Sequence, residues 1–157
     1  MSAINPRQFL LDLYASAVDA VSAQKCLPAF LPPPSPNGRT FVIGAGKGAA
    51  AMAKVVEDHW QGEIAGMVVT RYGHGADCKK IDVVEAAHPV PDEAGRQAAA
   101  RMMAMVQVLS GNDLVLCLIS GGGSALLALP ADGILLSQKQ AITKALQSVA
   151  LGLLDEH

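Results

Sequence analysis

A chain of 157 residues, 51% apolar and with a formal net charge of -2, is long enough to bury a sizeable core as one domain without disulfides or metals. The near-neutral balance leaves no basic footprint for nucleic acid or an anionic membrane, and no apolar run approaches the roughly 18 residues that span a bilayer. Cys26, Cys78 and Cys117 form no C-x-x-C pair, which argues against a disulfide framework or zinc ribbon and for a reducing, cytoplasmic setting. The N-terminus shows no charged flank followed by an apolar signal core.

Residues 5–23 are predicted as an amphipathic helix, because Phe9, Leu10, Leu13, Tyr14, Ala17, Val18 and Val21 recur at three- and four-residue steps. Asn5 can cap it, Pro6 suits the first helical position, and Gln8 sits where a capping-box partner would. Prolines 28, 32, 33, 34 and 36 then predict an extended linker over 28–38, which should lay that helix (residues 1–27) against the domain.

The stretch 42–53 organises the rest of the chain. A short apolar run from Thr40 to Ile43 meets glycines at 44, 46 and 48, and an alanine-rich helix continues from them to about 59, with Ala49, Met52, Ala53 and Val56 on one face. Residues 65–70 are a second strand, leading into the polar loop Arg71-Tyr72-Gly73-His74-Gly75; residues 81–86 are a third. Two prolines then precede Asp92, which should cap a helix running to about 109.

Residues 113–119 are the most apolar run and are predicted as a central strand buried on both faces. They end directly in Ser120-Gly121-Gly122-Gly123-Ser124. Residues 126–136 read as a turn and loop packed on the core. Ser137-x-x-Gln140 signals a last helix with Ile142, Ala145, Leu146, Val149 and Leu153 along one stripe. Strands alternating with helices imply right-handed crossovers, hence a Rossmann-like three-layer α/β/α domain over 39–146 with a mainly parallel sheet.

Ligands of such sheets bind beyond the carboxyl ends of the strands, where both glycine-rich turns lie. Gly44-x-Gly46-x-x-Ala49 fits the dinucleotide fingerprint, but Thr70 and Arg71 stand where an acidic residue should hold the ribose. Arg71 could instead accept the 2′-phosphate of NADP. The turn is expected to leave unpaired N–H groups at the positive end of the next helix, with Lys47 adding a full charge for an anion; the plainer alternative is a tight connection with a solvated lysine. It is not a P-loop, which needs four residues between its glycines.

Residues 120–124 are the sharper signal. Three glycines after a buried strand let successive N–H groups converge as a phosphate-binding nest, flanked by the hydroxyls of Ser120 and Ser124; the alternative is a flexible turn. His88 is a candidate catalyst or a structural hydrogen-bonder. Asp92 is a helix cap, with a metal ligand or base as the other readings. His74 and Asp77 sit in a glycine loop that could approach substrate. No G-x-S-x-G elbow is present.

Residues 42–53, His88-Pro89-Val90-Pro91-Asp92 and residues 119–127, taken in order, resemble the glycerate 2-kinase family, also called MOFRL, many of whose members carry the name hydroxypyruvate reductase. The resemblance runs from about residue 5 to about 146. It implies ATP-dependent phosphorylation of the 2-hydroxyl of D-glycerate, with Mg2+, in a cleft between a Rossmann-like domain and a second domain. Lys47 matches the family's active-site lysine and residues 120–124 its glycine-rich loop; no metal ligands are assigned. Phosphoryl transfer needs positive charge and N–H donors around the moving group, so the residues suit that chemistry.

Family members are more than twice this long. The second domain is therefore expected to be absent and residues 147–157 to depart from the family pattern, leaving a half-site that binds an anion and phosphorylates glycerate poorly or not at all. A homodimer is a candidate for completing the cleft. Two competing readings are an NAD(P)H-dependent hydroxypyruvate reductase, using residues 44–49 for the pyrophosphate, and a non-catalytic phosphate- or sugar-acid-binding module.

Overall fold

The computed structural model describes residues 5–152. Four short β-branched runs, β1 (Thr40–Ala45), β2 (Ile64–Arg71), β3 (Ile81–Ala86) and β4 (Leu114–Ile119), form one sheet in the order β3-β2-β1-β4. All three pairings are parallel, so every connection is a crossover. Thr40 pairs with Ile64 and Leu114, and Ala45 with Val69 and Ile119. This register brings the chain out of β1, β2 and β4 at one edge of the sheet.

Strand alternation sends side chains to two cores. Val42, Ile64 and Val68 pack with Ala53 and Val56 of α3 (Ala49–His59). Ala45, Met67 and Val69 pack on the opposite face with Ala98 and Met102 of α4 (Glu93–Gln107). Full burial of each such valine contributes about 1.5–3 kcal/mol. The two covered faces make the three-layer α/β/α architecture. Glu57 of α3 ties the layers together, its carboxylate accepting N–H bonds from Lys79 (2.8 Å) and Lys80 (2.7 Å) at the start of β3.

The N-terminal helix departs from expectation. In α1 (Pro6–Ala20), Asn5 accepts from the N–H groups of Arg7 and Gln8, at 3.1 and 3.3 Å. Gln8 does not complete a capping box, because its amide donates to Asp12 at 2.7 Å. No residue of α1 is buried, and Phe9 and Tyr14 are 52% and 71% exposed. The helix is not laid against the domain; its contacts run to α2 (Ala23–Cys26). The proline-rich stretch opens as a 3-10 turn, Leu27–Phe30, with Pro28 where a missing N–H is harmless. Leu27 and Leu31, not α1, reach the first core.

The last strand and last helix also differ from their predicted settings. β4 pairs with β1 alone among the described residues, so it is an edge strand, and Val115 and Ile119 remain exposed while Leu118 is buried. Its apolar run does not mark burial on both faces. A short helix, α5 (Gly123–Leu126), comes next, with Leu126 and Ala128 buried but Ile134 and Leu135 at the surface. In α6 (Leu136–Gly152), Ser137 lies inside the helix rather than capping it. Gln138 reaches back to the Leu135 N–H (2.8 Å), and Gln140 donates to the Pro91 carbonyl (2.8 Å). Ile142, Leu146 and Val149 are exposed rather than core; Leu153 and the end of the 147–157 segment lie outside the described residues. No described helix is long and apolar enough to cross a membrane, and Cys26, Cys78 and Cys117 are all free thiols.

Candidate active site

Because β1 and β4 are neighbours in register, the loops that leave them lie side by side and hold each other. The N–H of Gly46 donates to Val69 O (3.1 Å), that of Lys47 to Gly121 O (2.9 Å), and that of Gly48 to the Ser120 hydroxyl (2.9 Å). Ala49 N–H reaches back to Gly46 O, and Ser120 N–H to Ala45 O, both at 3.1 Å. Thr70, fully buried, donates to the Lys47 carbonyl at 3.3 Å. The donors of 46–49 are therefore engaged within the protein. This corrects the expectation of unpaired N–H groups for residues 46–49, while the N–H groups of Ala50 and Ala51 at the start of α3 meet no acceptor among the described residues; the donors of 46–49 are taken because of the second loop, which the sequence places 72 residues away from Gly48.

The first turn's glycines serve this contact. Gly46 has φ +137°, and a Cβ there would lie 2.2 Å from the Ser120 hydroxyl oxygen. A Cβ on Gly44 would lie 2.4 Å from Leu118 O. Gly48 differs, since its φ of -100° suits any residue and its Cβ would make an ordinary 3.5 Å contact.

The second loop is arranged the other way. Gly122 is left-handed, φ +89°, and its backbone lies against two side chains: a Cβ there would be 2.6 Å from His88 Nε2 and 3.4 Å from Lys47 Cε. Lys47, an exposed residue, and His88 thus meet over Gly122. Among the described residues no protein acceptor engages the N–H groups of Gly121, Gly122, Gly123 or Ser124. Gly123 also packs closely, its Cβ position 3.2 Å from Ala45 O.

Burial, and then the charges of Lys47 and Arg71, push the His88 imidazole below its ordinary value, so the ring is neutral near pH 7. The peptide joining His88 to Pro89 is cis. Arg71, at the exposed end of β2, opposes protonation of His88 as Lys47 does. Asp92 caps α4 through Gly95 N–H (3.0 Å) and accepts the Tyr72 hydroxyl (2.8 Å). Burial opposes its ionisation, but these bonds outweigh it and hold the carboxyl below the usual carboxylate range. With both oxygens engaged, Asp92 acts as a cap and as the anchor of the 71–75 loop. His74 and Asp77 stay exposed on their loop.

Among the described residues no cluster of three His, Cys, Asp or Glu side chains could hold a metal. The donors that converge over Gly122 are cationic or neutral, a set that does not fit a resident Mg2+.

Beside this point opens a cleft of about 350 Å³, lined by His88, Gly122 and Ser124 on one side and by Lys139, Thr143 and Gln147 of α6 on the other. Sequence reasoning missed the three α6 residues. Their i, i+4, i+8 spacing puts them on one helix face, a legible signal, but the apolar stripe of the same helix drew the core assignment. Another cleft, about 320 Å³ and lined in part by Arg39 and Glu63, opens at the opposite edge of the sheet, away from the strand ends where ligands of open α/β sheets bind.

Two glycine loops at the carboxyl edge of a parallel sheet, one holding a lysine beside the open backbone of the other, define a Rossmann-like α/β domain. The chain belongs to the family described as "Domain of unknown function (DUF4147)", which it matches over residues 9–153. It is 43% identical over 144 residues to an Agrobacterium vitis protein named "Putative hydroxypyruvate reductase", covering 91% of this chain and 33% of that protein. It is 43% identical over 110 residues to a glycerate 2-kinase of Pyrococcus horikoshii, covering 70% of this chain and 25% of the relative. A crystal structure of glycerate kinase from Thermotoga maritima superposes with a TM-score of 0.71 at 32% identity, covering 90% of this chain and 34% of that one. The chain thus spans about a third or less of the length of these relatives.

Proposed function

We propose that this chain supplies the phosphoryl-binding part of a site for ATP-dependent phosphorylation of the 2-hydroxyl of D-glycerate. The observation that carries this reading is the meeting of Lys47 and His88 over Gly122, beside four backbone N–H groups with no acceptor among the described residues. The names of the Pyrococcus and Thermotoga relatives support the same reaction class.

In this reading the N–H groups of 121–124 hold the oxygens of the transferring phosphoryl group and the Lys47 ammonium offsets its charge, interactions that strengthen as charge develops. His88, neutral and with Nε2 turned to Gly122, accepts the proton of the attacking hydroxyl. The new bond joins the 2-oxygen to the γ-phosphorus, the bridging bond to the β-phosphate breaks, and ADP leaves. A Mg2+ ion, where required, accompanies the ATP phosphates, since this chain's donors near Gly122 do not fit one.

A hydroxypyruvate reductase remains the competing reading, favoured by the name of the Agrobacterium relative. It needs the 46–48 N–H groups for a pyrophosphate, and those donate to Val69, Gly121 and Ser120 instead. A coupled ADP-release assay with D-glycerate, ATP and Mg2+, run beside Lys47→Ala and an NAD(P)H-plus-hydroxypyruvate control, separates the two. Lysine-dependent ADP formation is expected, at a low rate if the rest of the relatives' length is needed to complete the cleft. Cofactor oxidation with no ADP would sink the kinase reading.

A further inference from the structure

The cleft beside Gly122 is not closed by the sheet loops alone. Its far wall is the face of α6 that carries Lys139, Thr143 and Gln147. This wall is held in place, because the Gln140 amide donates to the Pro91 carbonyl at 2.8 Å and so fixes α6 to the segment bearing His88. Lys139 is half-buried, and among the described residues no carboxylate pairs with it. Lys139 lines this cleft and, with its stem, an apolar one beside it formed by Ile43, Met102 and Leu127, and a half-buried lysine without a counter-charge at a cleft is arranged for an anionic ligand.

Thr143 adds a second constraint. Its hydroxyl proton is engaged by the Lys139 carbonyl at 2.9 Å, so only its lone pairs remain for a ligand. An acceptor next to an ammonium matches a molecule carrying both a carboxylate and a hydroxyl. We propose that Lys139 and Thr143 form the hydroxy-acid half of the site, Lys139 taking the carboxylate and Thr143 accepting a ligand hydroxyl, while Lys47 and the 121–124 backbone take the phosphoryl group. The assignment of a hydroxy acid rests on the kinase reading; the cation and the acceptor rest on the cleft itself.

The test is binding of D-glycerate, propionate and inorganic phosphate to the 157-residue chain, measured by calorimetry and by the His88 imidazole resonances. Lys139→Gln is expected to weaken D-glycerate about tenfold while leaving phosphate within about twofold. Lys144→Gln, on an exposed part of the same helix, leaves both unchanged and controls for charge. Thr143→Val should bring D-glycerate down toward propionate, which has no hydroxyl to donate. An unchanged glycerate affinity in Lys139→Gln overturns the proposal, as does an equal loss for phosphate or a wild-type chain that binds no D-glycerate. Lys139-dependent glycerate binding together with hydroxypyruvate-dependent NAD(P)H oxidation and no ADP would sink the kinase reading alone.

Discussion

Two glycine-rich loops leave adjacent strands of this sheet, and they do opposite things. In the 44–49 turn the glycines let backbones approach, and the N–H groups of 46–49 are satisfied within the protein. In the 120–124 loop the glycines let a backbone turn outward, so that the N–H groups of 121–124 meet no acceptor among the described residues. The first loop contributes a lysine and a scaffold; the second contributes the N–H groups left without an acceptor. A glycine count treats them alike, and only the pairing between them separates support from site.

Substitutions can break this contrast. The largest effect is expected at Gly46, where an alanine must adopt a φ of +137° with its Cβ 2.2 Å from the Ser120 oxygen. Gly46→Ala should cost about 3 kcal/mol or more in a urea melt, or prevent folding. Gly122→Ala should cost about 1–2 kcal/mol for its left-handed backbone, because the His88 ring it meets can swing aside. Its stronger consequence is functional, with inorganic phosphate affinity falling about tenfold as His88 and Lys47 are displaced. If Gly122→Ala unfolds the chain as Gly46→Ala does, the two loops are not distinct in role.

Smaller effects sharpen the comparison. Ser120→Ala removes the hydroxyl that receives the Gly48 N–H and should lower stability by about 1 kcal/mol, read from the thermal midpoint. A pH series reports on the second loop. His88 titrates below its ordinary value, so as pH falls past about 6.5 the unfolded chain takes up a proton first. The stabilisation is full above that pH and is lost on descent through the lower folded-state value. Sulfate, whose charge is constant over this window, should raise the His88 value and bind more tightly as pH falls; an imidazole titration unmoved by sulfate would place the anion elsewhere. Gly48→Ala is expected to change stability by no more than about 0.5 kcal/mol, since its backbone suits any residue.

Much of the framework is legible along the chain. The third strand occupies 81–86 as its β-branched run indicates, Asp92 caps the start of α4, and the two glycine loops lie at strand ends as the crossover rule requires. Less legible are the faces. Period 3.6 in α1 and α6 reports that a helix has an apolar side; it cannot report whether anything covers that side, and here Tyr14 and Leu146 stay exposed. The same limit applies to β4, whose apolar run sits at an edge.

What the sequence determined by itself was local: where the elements begin and end and where Asn5 and Asp92 cap their helices, because these depend on backbone sterics and nearby hydrogen bonds. The tertiary structure alone decided which donors were left for a ligand. Lys47 N–H finds its acceptor at Gly121, His88 meets Gly122, and Lys139 reaches the same cleft from α6, each across a sequence separation that no periodicity encodes. An N–H group becomes a binding group only when no distant carbonyl has taken it, and that is a property of the assembled sheet.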